Sequence, residues 1–470
     1  MVTVDLLVKN AKMVMPRQGV FEGSLVVDEG KVVSIASKAQ LLSADRVIDA
    51  EGKYVFPGVI DPHVHYGQKY PDYQLDFQGN VLSETFSAAI GGITTIGLMH
   101  RVFPPLGSYF PFFNENKEPA EQKASTDFYF SWSVMDPLHI SELPAYVEKH
   151  GVTSFKFLLG YKYADNSVRG RGDDGLLYSM MQTIARYNSS LLTMVHCENA
   201  EIISSLTDAL RGTGRTDLAA WTECRPSICE EEAILRVNLM AKRHGLPVYI
   251  PHVSSAEGID AIRKGKTEGA KVYGETCPHY LTLTKNAAAG SMAKINPPLR
   301  DVKSIQALWD AIFDGTVDAI GSDNVSVPKQ YKVGDIWSVG IGFPGSGSMF
   351  PIMLSEGFHK RGLPLQRIAE LTSYNAARIF GLYPRKGNLD IGSDADFVLV
   401  DLKKTVILNS EMLKSSAGFT VYDGMEVKGW PEVTVLRGEV IAEHGESVAK
   451  PGRGRYIRRV PVMAETLQST

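Results

Sequence analysis

The strongest constraint in this chain is a series of eight short apolar runs alternating with segments of helical character. The runs lie near residues 58–63, 92–99, 127–134, 153–158, 191–196, 247–252, 271–276 and 318–323. Short apolar runs of this kind read as parallel strands buried on both faces. Between several of them lie good helical stretches, such as 230–244 and 301–313. Strand–helix alternation predicts crossover units, and eight such units are the count of a (β/α)8 barrel. The competing α/β architecture is an open, doubly wound sheet.

Chemistry-bearing residues at the ends of the runs decide between the two. Val59-Ile60-Asp61-Pro62-His63-Val64-His65 ends on two histidines, and Ser154-Phe155-Lys156-Phe157 encloses a lysine. Leu192-Thr193-Met194-Val195-His196, Val248-Tyr249-Ile250-Pro251-His252 and Asp318-Ala319-Ile320-Gly321-Ser322-Asp323 end on two further histidines and an aspartate. A barrel presents its chemistry at the C-terminal ends of its strands. Ligands on strands one, four, five, six and eight converge only in a closed ring, so the expectation is a TIM-like barrel.

The two ends of the chain have a different texture. Residues 1–56 hold short strand-like runs such as Asp5-Leu6-Leu7-Val8-Lys9, broken by Gly and Asp, and the pattern returns in Asp396-Phe397-Val398-Leu399-Val400. The expectation is a small β-sandwich domain assembled from residues 1–56 and 386–460. It would flank a catalytic barrel of 57–385, with 461–470 as a C-terminal tail. Three segments exceed a minimal barrel: 103–117, rich in Pro and Phe without a periodic pattern; 162–175, polar, with Arg169 and Arg171; and 324–347, rich in Gly. All three follow strands, which places them at the mouth where specificity is set.

Bulk properties narrow the function. With 49 basic against 53 acidic residues, the net charge of -4 gives no electrostatic case for nucleic acid or an anionic membrane. No window reaches the eighteen or more apolar residues of a membrane span, and no signal peptide is visible. Cys197, Cys224, Cys229 and Cys277 form no CxxC pair and suit a reducing compartment. The expectation is a soluble cytoplasmic protein.

His63 and His65, two apart on an extended segment, point to the same side of the strand, and imidazole suits zinc and similar metals. Asp61 shares that face and could orient the pair. His196 and His252 could hold a second metal, while Asp323 is placed to ligate the first and to act as general base. Two metals sharing a hydroxide generate a nucleophile at neutral pH and polarise a carbonyl. Lys156, between two phenylalanines in a buried strand, carries a large desolvation cost if charged and unpaired.

These blocks, with His196-Cys197-Glu198-Asn199, Pro251-His252-Val253-Ser254-Ser255, Pro297-Pro298-Leu299-Arg300 and the tail Asp423-Gly424-Met425-Glu426-Val427, resemble the cyclic amidohydrolases. The dihydropyrimidinase/hydantoinase branch is most similar, over nearly the whole length. The resemblance implies two Zn2+ per chain, with His63, His65 and Asp323 on one and His196 and His252 on the other. It implies that Lys156 is carboxylated (N6-carboxylysine) and bridges them. It further implies that Tyr161 donates a hydrogen bond to a developing oxyanion and that Asn296 helps to hold the substrate ring. The partner is then a small cyclic amide such as a hydantoin, dihydropyrimidine, lactam, cyclic imide or allantoin-like ureide, and the assembly a homotetramer or homodimer.

Some positions depart from the family pattern. Asn324 stands where a histidine is usual, Gly67 where dihydroorotases typically carry an arginine, and Ile341 where hydantoinases commonly have an asparagine. His279 is expected to be structural rather than a further ligand. A one-metal deaminase is disfavoured by Lys156, and a non-catalytic scaffold resembling the collapsin response mediators is disfavoured by the complete ligand set.

Overall fold

A computed structural model of the chain describes residues 3–37, 43–70, 73–102, 107–161 and 172–461. Arg169, Arg171 and all but the first residue of the expected tail lie outside the described residues. The eight anticipated runs are strands: Val59–His65, Ile93–His100, Asp127–Ser133, Ser154–Leu158, Leu192–His196, Val248–Ile250, Val272–Thr276 and Val317–Ile320. Each pairs in parallel with the next in chain order. The eighth strand is broken at Gly321-Ser322-Asp323 and resumes as Asn324–Val325, which pairs in parallel with the first, Asn324 against Val64 and Val325 against His65. The break closes the ring, and it sets Asp323 beside the histidines of the first strand.

The helices between strands start where local chemistry permits. Asp76 caps Phe77–Ile90 by accepting from the amides of Gln78 and Gly79, and Ser255 caps Ala256–Thr267 through the amide of Gly258. The stretches expected at 230–244 and 301–313 are the helices Ile228–His244 and Val302–Phe313. The first carries Glu230 and Glu231 in its opening turn and Lys242, Arg243 and His244 in its last, matching the helix dipole.

One segment differs from the reading of 103–117 as non-periodic: Tyr109–Glu121 is a helix. Ser108 caps it, its Oγ accepting from the amide of Phe110 at 3.1 Å. The helix is held by rings rather than by an aliphatic stripe. Phe112 stacks on His100 with centroids 3.6 Å apart, and Phe113 stacks on His150 at 3.8 Å. Aromatic docking of this kind overrides intrinsic propensity and leaves little period to read.

Both chain ends contribute to a second, mixed sheet of nine strands. Tyr54–Pro57 from the N-terminal part lies between Thr3–Met15 and Phe397–Ile407, with Val55 opposite Leu399. Hydrogen bonding makes it one connected sheet that folds back on itself: the amide of Val32 donates to Ser393 O (3.0 Å) and that of Ala395 to Gly30 O (2.9 Å). Leu6, Val8, Val27, Val55, Phe397 and Val435 share the enclosed core.

A buried charge cluster ties this sheet to the N-terminal end of the barrel. Lys386 Nζ reaches Asp127 at 2.6 Å, Asp394 at 3.0 Å and Asp396 at 2.5 Å, and Arg437 also pairs with Asp127. The three carboxylates come close enough together to suggest a metal site, but Lys386 and Arg437, with Lys31 and Arg385 on Asp394, already neutralise them. Removing one partner of such a cluster strands buried charge, at a cost of about 3–5 kcal/mol. Lys386→Met is therefore expected to shift the denaturant midpoint down by the equivalent of that energy, while leaving divalent-metal affinity at the opposite end of the barrel unchanged. A midpoint within error of the parent would show that the cluster contributes no net stability.

Candidate metal centre

The strand ends deliver their side chains to one cleft at the C-terminal face, lined by His65, Lys156, Tyr161, His196, His252 and Asp323, with Asn296 and Ile341 on its wall. His63 lies just beneath, fully buried. Its Nε2 is 3.1 Å from His65 Nε2 and 3.1 Å from Asp323 Oδ1, and His65 Nε2 is also 3.1 Å from Asp323 Oδ1. Across the cleft His196 Nδ1 lies 3.0 Å from His252 Nε2. The His63 and His252 rings, 5.1 Å between centroids, join the two groups.

The second contacts of these imidazoles fix which nitrogen faces inward. His63 Nδ1 donates to Glu275 Oε1 at 2.7 Å, and His65 Nδ1 lies 3.3 Å from Met99 O, which can only accept. Both Nε2 atoms thus face the Asp323 carboxylate; a proton can hold the three together, and a bound cation would replace it, taking both Nε2 lone pairs and the carboxylate as ligands. His196 Nε2 donates to Glu198 Oε2 at 2.9 Å, leaving Nδ1 inward, and Arg225 pairs with the same carboxylate oxygen at 2.6 Å.

Charges in the cleft follow from burial and from these pairings. Burial works against protonating His63, yet the Glu275 and Asp323 carboxylates outweigh it and raise the ring to about 9. Burial lowers His65 to about 4 and pushes His252 well below the ordinary histidine value. Asp323 is buried too, but the charge and hydrogen bonds of His63 and His65 hold its carboxyl well below the usual range. Lys156, 1% exposed, has no hydrogen-bond partner for Nζ among the described residues, and burial lowers it to about 8.

The backbone is bent to make this convergence. His252 (φ 47°) and Asp323 (φ 50°) both take the left-handed conformation that L-residues avoid. Such positions cost of order 1–3 kcal/mol each and persist where surrounding structure demands them. Two glycines admit the groups behind the ligands: a Cβ at Gly160 would meet His196 Nε2 at 2.7 Å, and one at Gly321 would meet Glu275 Oε2 at 2.6 Å.

Glu275, Glu198 and Arg225 are site residues that sequence reasoning missed. An acid inside the apolar run Val272-Tyr273-Gly274-Glu275-Thr276 is the same kind of signal that singled out Lys156. Asp61 does not support the imidazoles, as expected of it; it holds backbone, accepting from the amides of His63 and Ser322. His279 is buried with Nε2 unpartnered, packed on Tyr280 and Phe343. Asn324 Oδ1 accepts from the amides of Gly345 (2.8 Å) and Ser346 (3.3 Å), so its side chain secures the neighbouring loop. Gly67 has φ 67° and lies so close to helix Phe77–Ile90 that a Cβ would stand 2.9 Å from Phe77 Cβ.

A closed parallel barrel with histidines, a lysine and an aspartate at its strand ends defines a metal-dependent hydrolase architecture. The amidohydrolase family model matches residues 54–441, and the chain belongs to that family, whose members depend on metal. It is 34% identical to an L-hydantoinase of Paenarthrobacter aurescens over 470 residues, covering 97% of this chain and 98% of that protein. It is 35% identical to an allantoinase of Solibacter usitatus over 448 residues, 94% of each. Among solved structures, a dihydropyrimidinase of Brevibacillus agri superposes with a TM-score of 0.90 at 29% identity, over 97% of this chain and 99% of that one.

Glu275 offers a direct test of the geometry. Its Oε1 accepts from His63 Nδ1 and from the amide of His252 (3.0 Å), and its Oε2 accepts from the Tyr249 hydroxyl at 2.6 Å. Glutamine in its place turns an NH2 towards one of these donors. Glu275→Gln is expected to weaken divalent-metal affinity about 10–100-fold with the far-ultraviolet circular dichroism unchanged. Parental affinity by competition with a chromogenic chelator would rule out this control of the imidazole.

Proposed function

We propose that this chain is a binuclear, zinc-dependent hydrolase that opens the amide bond of a small cyclic amide of the hydantoin or dihydropyrimidine type. The observation carrying this reading is the meeting of four inward imidazoles, the Asp323 carboxylate and an orphaned buried lysine at one barrel mouth. The allantoinase relative favours an allantoin-like ureide as the second substrate reading.

The donor set fits the metal it implies. His63, His65 and Asp323 would hold one ion, and His196 and His252 the other. Lys156 suits the bridge, because a buried amine near 8 is largely neutral at slightly alkaline pH and can attack carbon dioxide. The neutral amine nitrogen bonds to carbon as one carbon–oxygen π bond opens onto oxygen, the nitrogen loses one proton, and the side chain becomes an anion with two ligand oxygens. When bound, the two ions supply a hydroxide at neutral pH and polarise the substrate carbonyl.

The chain's own groups do the rest. Tyr161 donates its hydroxyl hydrogen to the carbonyl oxygen as negative charge develops. Asp323 accepts the proton of the attacking water and passes it to the ring nitrogen as the carbon–nitrogen bond breaks. Asn296 holds the ring partly through its backbone and touches Tyr161 Oη through Nδ2 at 3.2 Å.

Elemental analysis of protein purified without chelator is expected to return about two divalent ions per chain, and a value near zero would defeat the proposal. Lys156→Ala is expected to lose bound metal and to reduce ring opening to background; full activity would remove the bridge. Ring-opening absorbance on hydantoin, dihydrouracil, allantoin, phthalimide and lactams is expected to favour the first three. Turnover of none of the panel by fully metallated protein would overturn the substrate class.

A further inference from the structure

Trp221 lies in the short helix Leu218–Glu223, 7% exposed, outside every motif used above. Its indole Nε1 donates to Ile295 O at 3.0 Å and to Asn296 Oδ1 at 3.2 Å. Two cations flank the ring: Lys294 Nζ stands 4.3 Å from its centroid and the Arg225 guanidinium 4.7 Å. These contacts hold the indole in place. Arg225 is also the residue that pairs with Glu198 behind His196.

The hydrogen-bond chemistry gives this arrangement a direction. An indole nitrogen only donates, whereas a carboxamide has one accepting end and one donating end. With Trp221 donating to Oδ1, Asn296 must turn Nδ2 towards Tyr161 Oη, 3.2 Å away. Reversing the amide would set two donors against each other at the indole. Tyr161 Oη therefore meets Asn296 as an acceptor, and its hydrogen serves a different partner.

We propose that Trp221 is a positioning residue for ring opening: through the Asn296 amide it holds the Tyr161 phenol with its hydrogen directed at the reacting carbonyl. The inference rests on the reading of Tyr161 as the oxyanion donor. It assigns Asn296 a side-chain role, orienting Tyr161, in addition to any hold on the substrate by its backbone. Trp221→Phe keeps an aromatic face for the two cations and removes the pyrrole ring with its N–H. Asn296→Asp puts an acceptor where Nδ2 was, so that the phenol hydrogen is drawn out of the cleft.

The test measures kcat and KM of the metallated enzyme on its best cyclic amide, for each variant alone and combined with Tyr161→Phe. Loss of one oxyanion donor is expected to lower kcat by about 100-fold or more in Tyr161→Phe. Trp221→Phe is expected to lower kcat about tenfold with KM nearly unchanged, a fraction of that donor's full effect. Asn296→Asp is expected to lose more. In the Tyr161→Phe background neither change should cost anything further, the signature of groups acting through one another. Full kcat in Trp221→Phe, or the same loss with and without Tyr161, would overturn the inference, and Asn296→Asp reads the same contact if Trp221→Phe fails to fold. Full kcat in Tyr161→Phe would instead overturn the oxyanion reading, and the inference with it.

Discussion

Closure of the barrel and assembly of the candidate metal ligands depend on one buried carboxylate, that of Asp61. It is 0% exposed, and its two oxygens accept from the amides of His63 and Ser322 and from the hydroxyls of Ser322 (2.5 Å) and Ser346 (2.7 Å). Burying an ionised carboxylate without partners costs several kcal/mol. Four donors offset that cost, although burial still raises Asp61 to about 6. The first strand and the broken eighth strand are thereby joined at one group, one residue before Asp323 and two before His63. The 3.1 Å approach of His63 and Asp323 is thus coupled to ring closure.

The two ends of the barrel solve the burial of charge in opposite ways. At the N-terminal end Asp127, Asp394 and Asp396 gather round Lys386, with Arg437 on Asp127 and Lys31 and Arg385 on Asp394. Charges there are matched within the protein. At the C-terminal end Lys156 Nζ and His252 Nδ1 are buried without partners, and His252 and Asp323 sit in a strained backbone region. A buried amine without a hydrogen-bond partner among the described residues, set among imidazoles and beside strained backbone, marks where something else binds. One end holds the fold together, and the other stores the cost of a site.

Legibility in the sequence followed the range of the interactions. The eight strands could be read because burial on both faces forces near-continuous apolarity, and Lys156 was visible because it breaks that pattern. Glu275 breaks it equally and passed unnoticed, since its run contains no histidine to draw attention. Asp61 was read as a support for the imidazoles, because its partners, the amide and hydroxyl of Ser322 and the hydroxyl of Ser346, lie more than 250 residues away and no local pattern announces them. The helix at Tyr109–Glu121 was hidden for a related reason: rings at His100 and His150 supply its stability. Trp221 drew no notice because its contact with Asn296 spans 75 residues.

The departures from the family pattern each have a local structural setting. An arginine at Gly67 would have to adopt φ 67° and displace Phe77, so backbone and packing both exclude it. Asn324 has its amide oxygen engaged by the 345–346 loop, and Ile341 offers the cleft an aliphatic side chain while its carbonyl accepts from the Tyr70 hydroxyl at 2.7 Å. Val325, Ile295 and Met99 extend that apolar lining. None of these changes touches an inward imidazole, Asp323 or Lys156. His63 and His252 are bound to the Glu275 carboxylate, His196 to that of Glu198 and Asp323 to the strand break that closes the ring, so single changes there disrupt several contacts at once. The 324–347 segment shares in that coupling through Ser346 on Asp61, whereas the aliphatic Ile341 side chain lines the cleft without a hydrogen bond to make, so substrate preference can be altered at Ile341 with the Asp61 contacts intact.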